Sequence, residues 1–305
     1  MKIENKINNL PQELKLTIYS YFIYKPKNKE QLKKAVDKWC KNKNEALKKY
    51  EHISLWNTSN ITDMSHLFED YYYFNDNISY WNVSNITNMS YMFFECKKFN
   101  QPLNNWNVSN VTNMSALFGN CLSFNQPLEK WAVSNVIDMS ALFEDCITFN
   151  QPLNNWNVSN VINMDIMFNG CIIFNQPLNK WDVSNVINME NMFFECQKFN
   201  QLLNNWNVSN VIDMKYMFAD CYNFNQPLNN WNVSNVINMD YMFYGCSNFN
   251  QPLNNWDVSN VTNMETMFDG CNKLNNSNVL NIKKHSDYIN YLQEYVLFSD
   301  DDDSW

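Results

Sequence analysis

From residue 56 onward the apolar and polar positions follow a pattern that returns every 25 residues. Trp56, Trp81, Trp106, Trp131, Trp156, Trp181, Trp206, Trp231 and Trp256 mark it without a slip, and nine copies fill residues 56–280. With Trp as slot 1, a full copy reads WNVSNVTNMSALFGNCLSFNQPLEK, residues 106–130. Slot 3 is Val except Thr58, slot 6 is Val or Ile, slot 9 is always Met, and slot 12 is Leu or Met. Slot 13 is always Phe, slot 16 is Cys in eight copies, slot 19 is Phe except Leu274, and slot 23 is Leu or Ile until the array ends. Slots 9, 12, 13 and 16 have the i, i+3, i+4, i+7 spacing of one apolar helix face. Asn or Asp at slot 8 stands where an N-cap belongs, and Gly, Asp, Asn or Glu at slots 14 and 15 can end a helix. Slots 1 and 3 alternate with polar residues and are β-branched at slot 3, which predicts a very short strand. Pro at slot 22 in six copies marks the bend into it.

A unit of this size cannot bury its own apolar face, so neighbouring copies must stack around a shared core. The expected fold class is an α/β repeat solenoid of nine 25-residue units, with short strands, short helices and helical caps at both ends. At a strand spacing of ~4.8 Å the array would be about 40 Å long. Ser at slot 4 and Asn at slots 5 and 20 occur in all nine copies, and Gln at slot 21 in seven. An amide can donate to one coil and accept from the next, so these rows are expected to be structural ladders that satisfy turn backbone.

Charge is divided unevenly. Residues 1–50 hold thirteen lysines against five acidic residues, a local +8, and the remaining 255 residues carry −17. An acidic body without arginine argues against nucleic acid as its partner. No window approaches the roughly 18 continuous apolar residues of a membrane helix. MKIENKINNLPQELK at the start lacks the apolar run of an export signal, so an intracellular location is expected.

Catalytic chemistry is not legible. The eight slot-16 cysteines recur every 25 residues, not at metal-ligand spacing, and read as reduced thiols in a core column. His52, His66 and His285 form no recognisable pair, and four glycines leave no phosphate loop. The expectation is therefore no enzyme, no catalytic residue, no cofactor and no metal. Asp300–Asp303 reads as an exposed acidic tail. Residues 286–298 carry Ile289, Leu292, Tyr295 and Val296 in the pattern of a capping helix.

The run FNQPLNNWNVSNVTNMSALFGNC resembles the BspA-type leucine-rich repeat, in the 25-residue form of Mycoplasma-type surface proteins and giant-virus proteins. Residues 29–55 resemble the segment that often precedes such repeats, with Leu32, Val36 and Trp39 on one face suited to capping the first coil. The resemblance implies a right-handed leucine-rich-repeat solenoid that binds other proteins. Leu10, Pro11, Gln12, Glu13 and Leu14, continuing to Ile18 and Phe22, resemble the opening of an F-box. That resemblance implies contacts from Leu10, Pro11, Leu14 and Ile18 to a Skp1-type adaptor of a ubiquitin ligase. A plain amphipathic capping helix fits the same residues. Val36 and Trp39 are three apart, whereas an F-box usually has its Val and Trp four apart.

The expected organisation is an F-box-like segment at 1–28, a helical cap at 29–55, the repeats at 56–280, and a capping helix with acidic tail at 281–305. Function should lie on slots free of the core. Slots 11 and 14 bring Tyr91, Phe94, Phe194, Tyr216, Tyr241 and Tyr244 to the surface, and exposed aromatics on a rigid scaffold are typical interface anchors. Two readings follow. One is a monomeric intracellular interaction protein, a substrate receptor in the cytoplasm of a giant virus's host. The other is a surface adhesin of the bacterial kind.

Overall fold

The structure is a computed structural model and describes residues 23–287 and 289. Two helices precede the repeats. Helix α1, Lys29–Lys41, starts at Asn28, whose side chain accepts from the Gln31 N–H, and buries Leu32, Ala35, Val36 and Trp39. Helix α2, Lys43–Tyr50, starts at Asn42, which accepts from the Glu45 N–H in the same way. Backbone at 280–287 is helical and follows the last repeat.

The nine copies are laps stacked one on the next. Isolated parallel bridges join slot 8 of every neighbouring pair, from Asp63 with Asn88 to Asn238 with Asn263. The short strand expected at slots 1–3 and the short helix expected at slots 9–16 are both absent among the described residues, and slots 10–15 are turns. The third lap shows why. The amide N–H groups of Met114, Ala116, Phe118 and Asn120 donate to carbonyls of the following lap at 2.7–3.0 Å. Those of Leu117, Gly119 and Cys121 donate three residues back, to Met114, Ala116 and Phe118. A helix would turn every N–H along its own axis. Here slots 11 and 15 take left-handed backbone, Ala116 at φ 50 and Asn120 at φ 59, and this turns alternate peptides towards the neighbouring lap. The apolar spacing survives because overlapping turns also bring slots 9, 12, 13 and 16 to one side. Met114, Leu117, Phe118 and Cys121 are fully buried.

Identical residues form continuous columns. The Phe rings of slot 13 lie 5.5–5.8 Å apart along the stack. Those of slot 19 lie 5.8–6.1 Å apart. Stacked indoles of slot 1 lie 6.1–6.4 Å apart. On the slot-11 side the Tyr216 and Tyr241 rings are only 4.7 Å apart. The laps therefore fan apart from the face formed by slots 8–15, which is the short side of the stack.

Side chains complete the polar accounting. Each indole N–H from Trp106 onward donates to the slot-23 carbonyl 28 residues earlier, as from Trp131 to Leu103 at 2.9 Å, and Trp81 finds the Ile53 carbonyl in the same place. Each thiol donates to the slot-13 carbonyl below, as from Cys121 to Phe93 at 3.0 Å. The slot-5 amides of Asn160 and Asn185 donate to Ser134 and Ser159 at 2.7 Å. The slot-20 amide oxygens accept the next lap's backbone N–H and its Gln, as Asn125 does from Asn150 and Gln151 at 3.0 Å. Replacing Asn160 and Asn185 together by Ala should cost about 1 kcal/mol per site. An unchanged denaturant midpoint would remove these bonds from the stability account.

The first lap has no lap before it, and α1 takes that place. Lys33 donates to the Leu67 carbonyl at 3.1 Å, the slot-12 acceptor that a preceding lap would otherwise reach. Trp39 donates to Asp76 at 2.8 Å and packs edge-on against Trp56 at 6.0 Å.

Candidate functional site

The side chains of slots 10, 11, 14 and 15 line the short side of the stack, because slots 9, 12, 13 and 16 point into the core. All six aromatic candidates stand on this face. Tyr91 and Tyr244 are exposed, at 36% and 41%, and Phe94, Phe194, Tyr216 and Tyr241 are half-buried. They form two groups. In the first, His66 stacks on Tyr91 at 5.0 Å, and Tyr91 meets Phe94 edge-on at 5.4 Å. In the second, Phe194 meets Tyr216 edge-on at 6.0 Å, Tyr216 stacks on Tyr241, and Tyr241 meets Tyr244 at 5.9 Å. Ala116, Ala141 and Ile166 hold slot 11 in the laps between them. Gly119 belongs to the first group although its residue type does not advertise it. A Cβ there would come within 2.7 Å of the Phe94 ring, which leans across it.

Slot 11 is left-handed in every lap, with φ 57 at Tyr91, 53 at Tyr216, 56 at Tyr241 and 61 at Ile166. Such backbone disfavours bulky residues, and Asn191 and His66 are the slot-11 residues whose types are most at ease there. The tyrosines are thus kept where local conformation opposes them.

Carboxylates occupy the same face between the aromatic groups. Burial first, then repulsion from Asp145, Glu95 and Asp165, pushes the Glu144 carboxyl above its ordinary value. Burial and then Glu95 raise Asp145, and burial and then Asp138 raise Asp165. The Glu95 Oε2 atom is buried without a directed hydrogen bond, and the Lys97 ammonium stands 3.1 Å away. At Asp63 burial acts upwards too, but bonds from Ser65 and Lys29 leave its carboxyl below the ordinary value. The three raised groups bind protons in the folded chain before the unfolded chain does. Their stabilisation is complete below the unfolded values near ~4 and is lost as pH rises through the folded ones. Asp63 works in the opposite sense, losing its contribution as pH falls. Burial raises Glu190 and Asp220 as well, whereas the other lowered carboxyls, Glu30, Glu45 and Asp257, are exposed and contribute little, so the melting temperature is expected to rise from pH 7 towards about pH 5. Calorimetry across that range checks this, and a steady fall would contradict it.

The thiols and imidazoles of the described residues have structural surroundings. Cys96 to Cys246 are buried free thiols, and burial pushes Cys40 up to about 12. His66 bonds Glu69 at 2.8 Å, His52 bonds Ser54 at 2.8 Å, and His285 lies 3.0 Å from the Val261 carbonyl. Among the described residues no group of three or more His, Cys, Asp or Glu is placed to hold a metal. No helix among them is long and apolar enough to cross a membrane. Leu10, Pro11, Leu14 and Ile18 lie outside the described residues, as does the Asp300–Asp303 run.

The family described as "Mycoplasma protein of unknown function, DUF285" matches the chain at residues 31–148, 127–221, 178–282 and 202–305. Together the four stretches reach from α1 to the last residue. The chain belongs to the DUF285 family. The matches overlap because moving by whole laps lays a DUF285 chain on itself, and membership is consistent with the BspA-type character of the repeat. The first match opens at residue 31, so most of α1 lies inside the family pattern. No curated protein and no solved structure matches the chain.

Proposed function

We propose that this DUF285 chain is a non-enzymatic scaffold that binds other proteins, built as a leucine-rich-repeat-like right-handed solenoid. The short side of its stack would be the binding face. The observation that carries the reading is the set of tyrosines at slot 11. They stand partly exposed on left-handed backbone that Gly or Asn would occupy at less cost. Aromatic anchors flanking a strip of carboxylates suit a basic partner protein with apolar side chains among its charges. In the fuller form of the proposal the F-box-like segment at 1–28 joins a Skp1-type adaptor in a host cytoplasm, and the repeats select the substrate.

Affinity capture tests both halves. The full chain should retain a basic protein that the Tyr216→Ala/Tyr241→Ala/Tyr244→Ala variant loses, with no drop in melting temperature. Leu14→Asp should abolish co-purification of the adaptor and leave the repeat-bound protein in place. Equal retention by the full chain and the triple variant would defeat the binding face. The Mycoplasma designation of the family favours a second reading, a bacterial surface protein using the same face. Labelling of intact cells from outside separates the two.

A further inference from the structure

Slot 7 lies on a different face and is Thr in laps 1, 2, 3 and 9 but Ile in laps 4 to 8. Ile137, Ile162, Ile187, Ile212 and Ile237 are each 42–47% exposed and follow one another along the stack. The only other side chains lining the shallow grooves along this row are slot-5 asparagines and, at one end, Thr112. β-Branching suits the slot, because its backbone N–H donates to the same slot of the lap below, as from Ile162 to Ile137 at 2.9 Å. Thr meets that need and adds a hydroxyl bond to the same carbonyl, as from Thr112 to Thr87 at 3.1 Å. Five consecutive laps give up this bond and expose a continuous apolar row instead.

We propose that the isoleucine row is the contact through which two copies of this chain form an antiparallel dimer. The spacing selects the occupant. Rungs one lap apart repeat at about 4.8 Å, whereas same-face residues of a single strand repeat at about 6.7 Å. A second stack of the same laps keeps step over the full row, which spans about 19 Å at that spacing. A twofold axis across the row at Ile187 sets Ile187 against itself, Ile162 against Ile212 and Ile137 against Ile237. Parallel order would instead set the two basic heads side by side. Five isoleucines with their asparagine rungs fall short of the roughly 800 Å² per partner of a standard interface, so the dimer is a weak, concentration-dependent one.

Sedimentation of the full chain over a concentration series tests this. A monomer–dimer equilibrium is expected, weakened roughly tenfold or more by Ile187→Asp, which places two carboxylates together at the axis. Ile162→Thr/Ile212→Thr, the residue of laps 1–3, should also weaken it at unchanged melting temperature. Ile187→Cys should form a disulfide-linked dimer on mild oxidation, and Thr112→Cys, at the row's end and away from the axis, should not. A monomer at every concentration would overturn the proposal. So would a dimer indifferent to Ile187→Asp, or retention of the row by lipid vesicles or another protein while the chain stays monomeric.

Discussion

Phe168→Ala should lower the free energy of unfolding by about 3–5 kcal/mol, among the largest losses a single side chain can cause here. The Phe168 ring is fully buried. It lies between Phe143 at 5.7 Å and Phe193 at 5.6 Å, with Phe174 at 4.3 Å and Trp181 at 6.2 Å. Truncation therefore opens a hole shared by three laps, and none can close it without leaving register with its neighbours. Each lap touches only the laps beside it, so a defect in the middle also separates the laps before it from those after it. Denaturant unfolding should show a lower midpoint and a broader transition. Phe268→Ala in the last lap should do less, because Phe268 is only partly buried. Equal losses at the two positions would contradict the column picture.

The second large effect is a contrast between two deletions. Removal of residues 156–180, one whole lap, should leave a folded chain with slightly reduced stability. Trp181 then follows the lap of Trp131, and its indole finds the Leu128 carbonyl that Trp156 uses at 3.1 Å. Every other lap-to-lap bond is likewise restored, because donors and acceptors repeat at the same slots. Removal of Asn169 alone should be far more damaging. It shifts Gly170, at φ 69, out of the left-handed slot and takes the following lap out of step with both neighbours. Circular dichroism melting and limited proteolysis check both variants. A whole-lap deletion that unfolds, or a one-residue deletion that does not, would count against a stack held in register by its slots.

Much of this architecture could be read from the chain. The invariant apolar slots are the buried ones, because a column of identical side chains repeats its environment as well as its residue. The slot-5 and slot-20 asparagines were legible as ladders for the same reason. Asn or Asp at slot 8 was legible as an acceptor for a nearby N–H, as at Asn113 with Ser115 at 2.8 Å, although no helix follows it. The helix was misread because i, i+3, i+4, i+7 spacing belongs equally to a chain of turns. Slot 15 hinted at this with Gly170, Gly245, Gly270 and Asn120, but slot 11 is mostly Tyr, Ala, Ile and Thr, whose types give no sign of left-handed backbone, with only His66 and Asn191 pointing that way. The strand was misplaced because alternation at slots 1 and 3 reports burial, while the lap-to-lap backbone bonds run through slots 7–15. The six aromatics were legible as surface residues. Their division into two groups, and the dependence of Phe94 on Gly119, were not, since both arise from contacts between laps.

The lap-to-lap bonds give the stack a direction. Through slots 9–15 each lap offers N–H groups forward and carbonyls backward, whereas slot 7 donates backward, and α1 occupies the backward side of the first lap through Lys33. On the forward side of the ninth lap, the N–H groups of Met264, Thr266, Phe268 and Gly270 meet no backbone acceptor among the described residues. The two termini are thus unequal templates for growth. Duplicated coding segments can be absorbed internally, whereas a lap added ahead of the first displaces α1 and one added beyond the ninth displaces the 280–287 helix, whose Ile282 is buried and whose His285 reaches the Val261 carbonyl. Copy number becomes an adjustable ruler in this architecture, one that sets the distance between the two aromatic groups in whole coils.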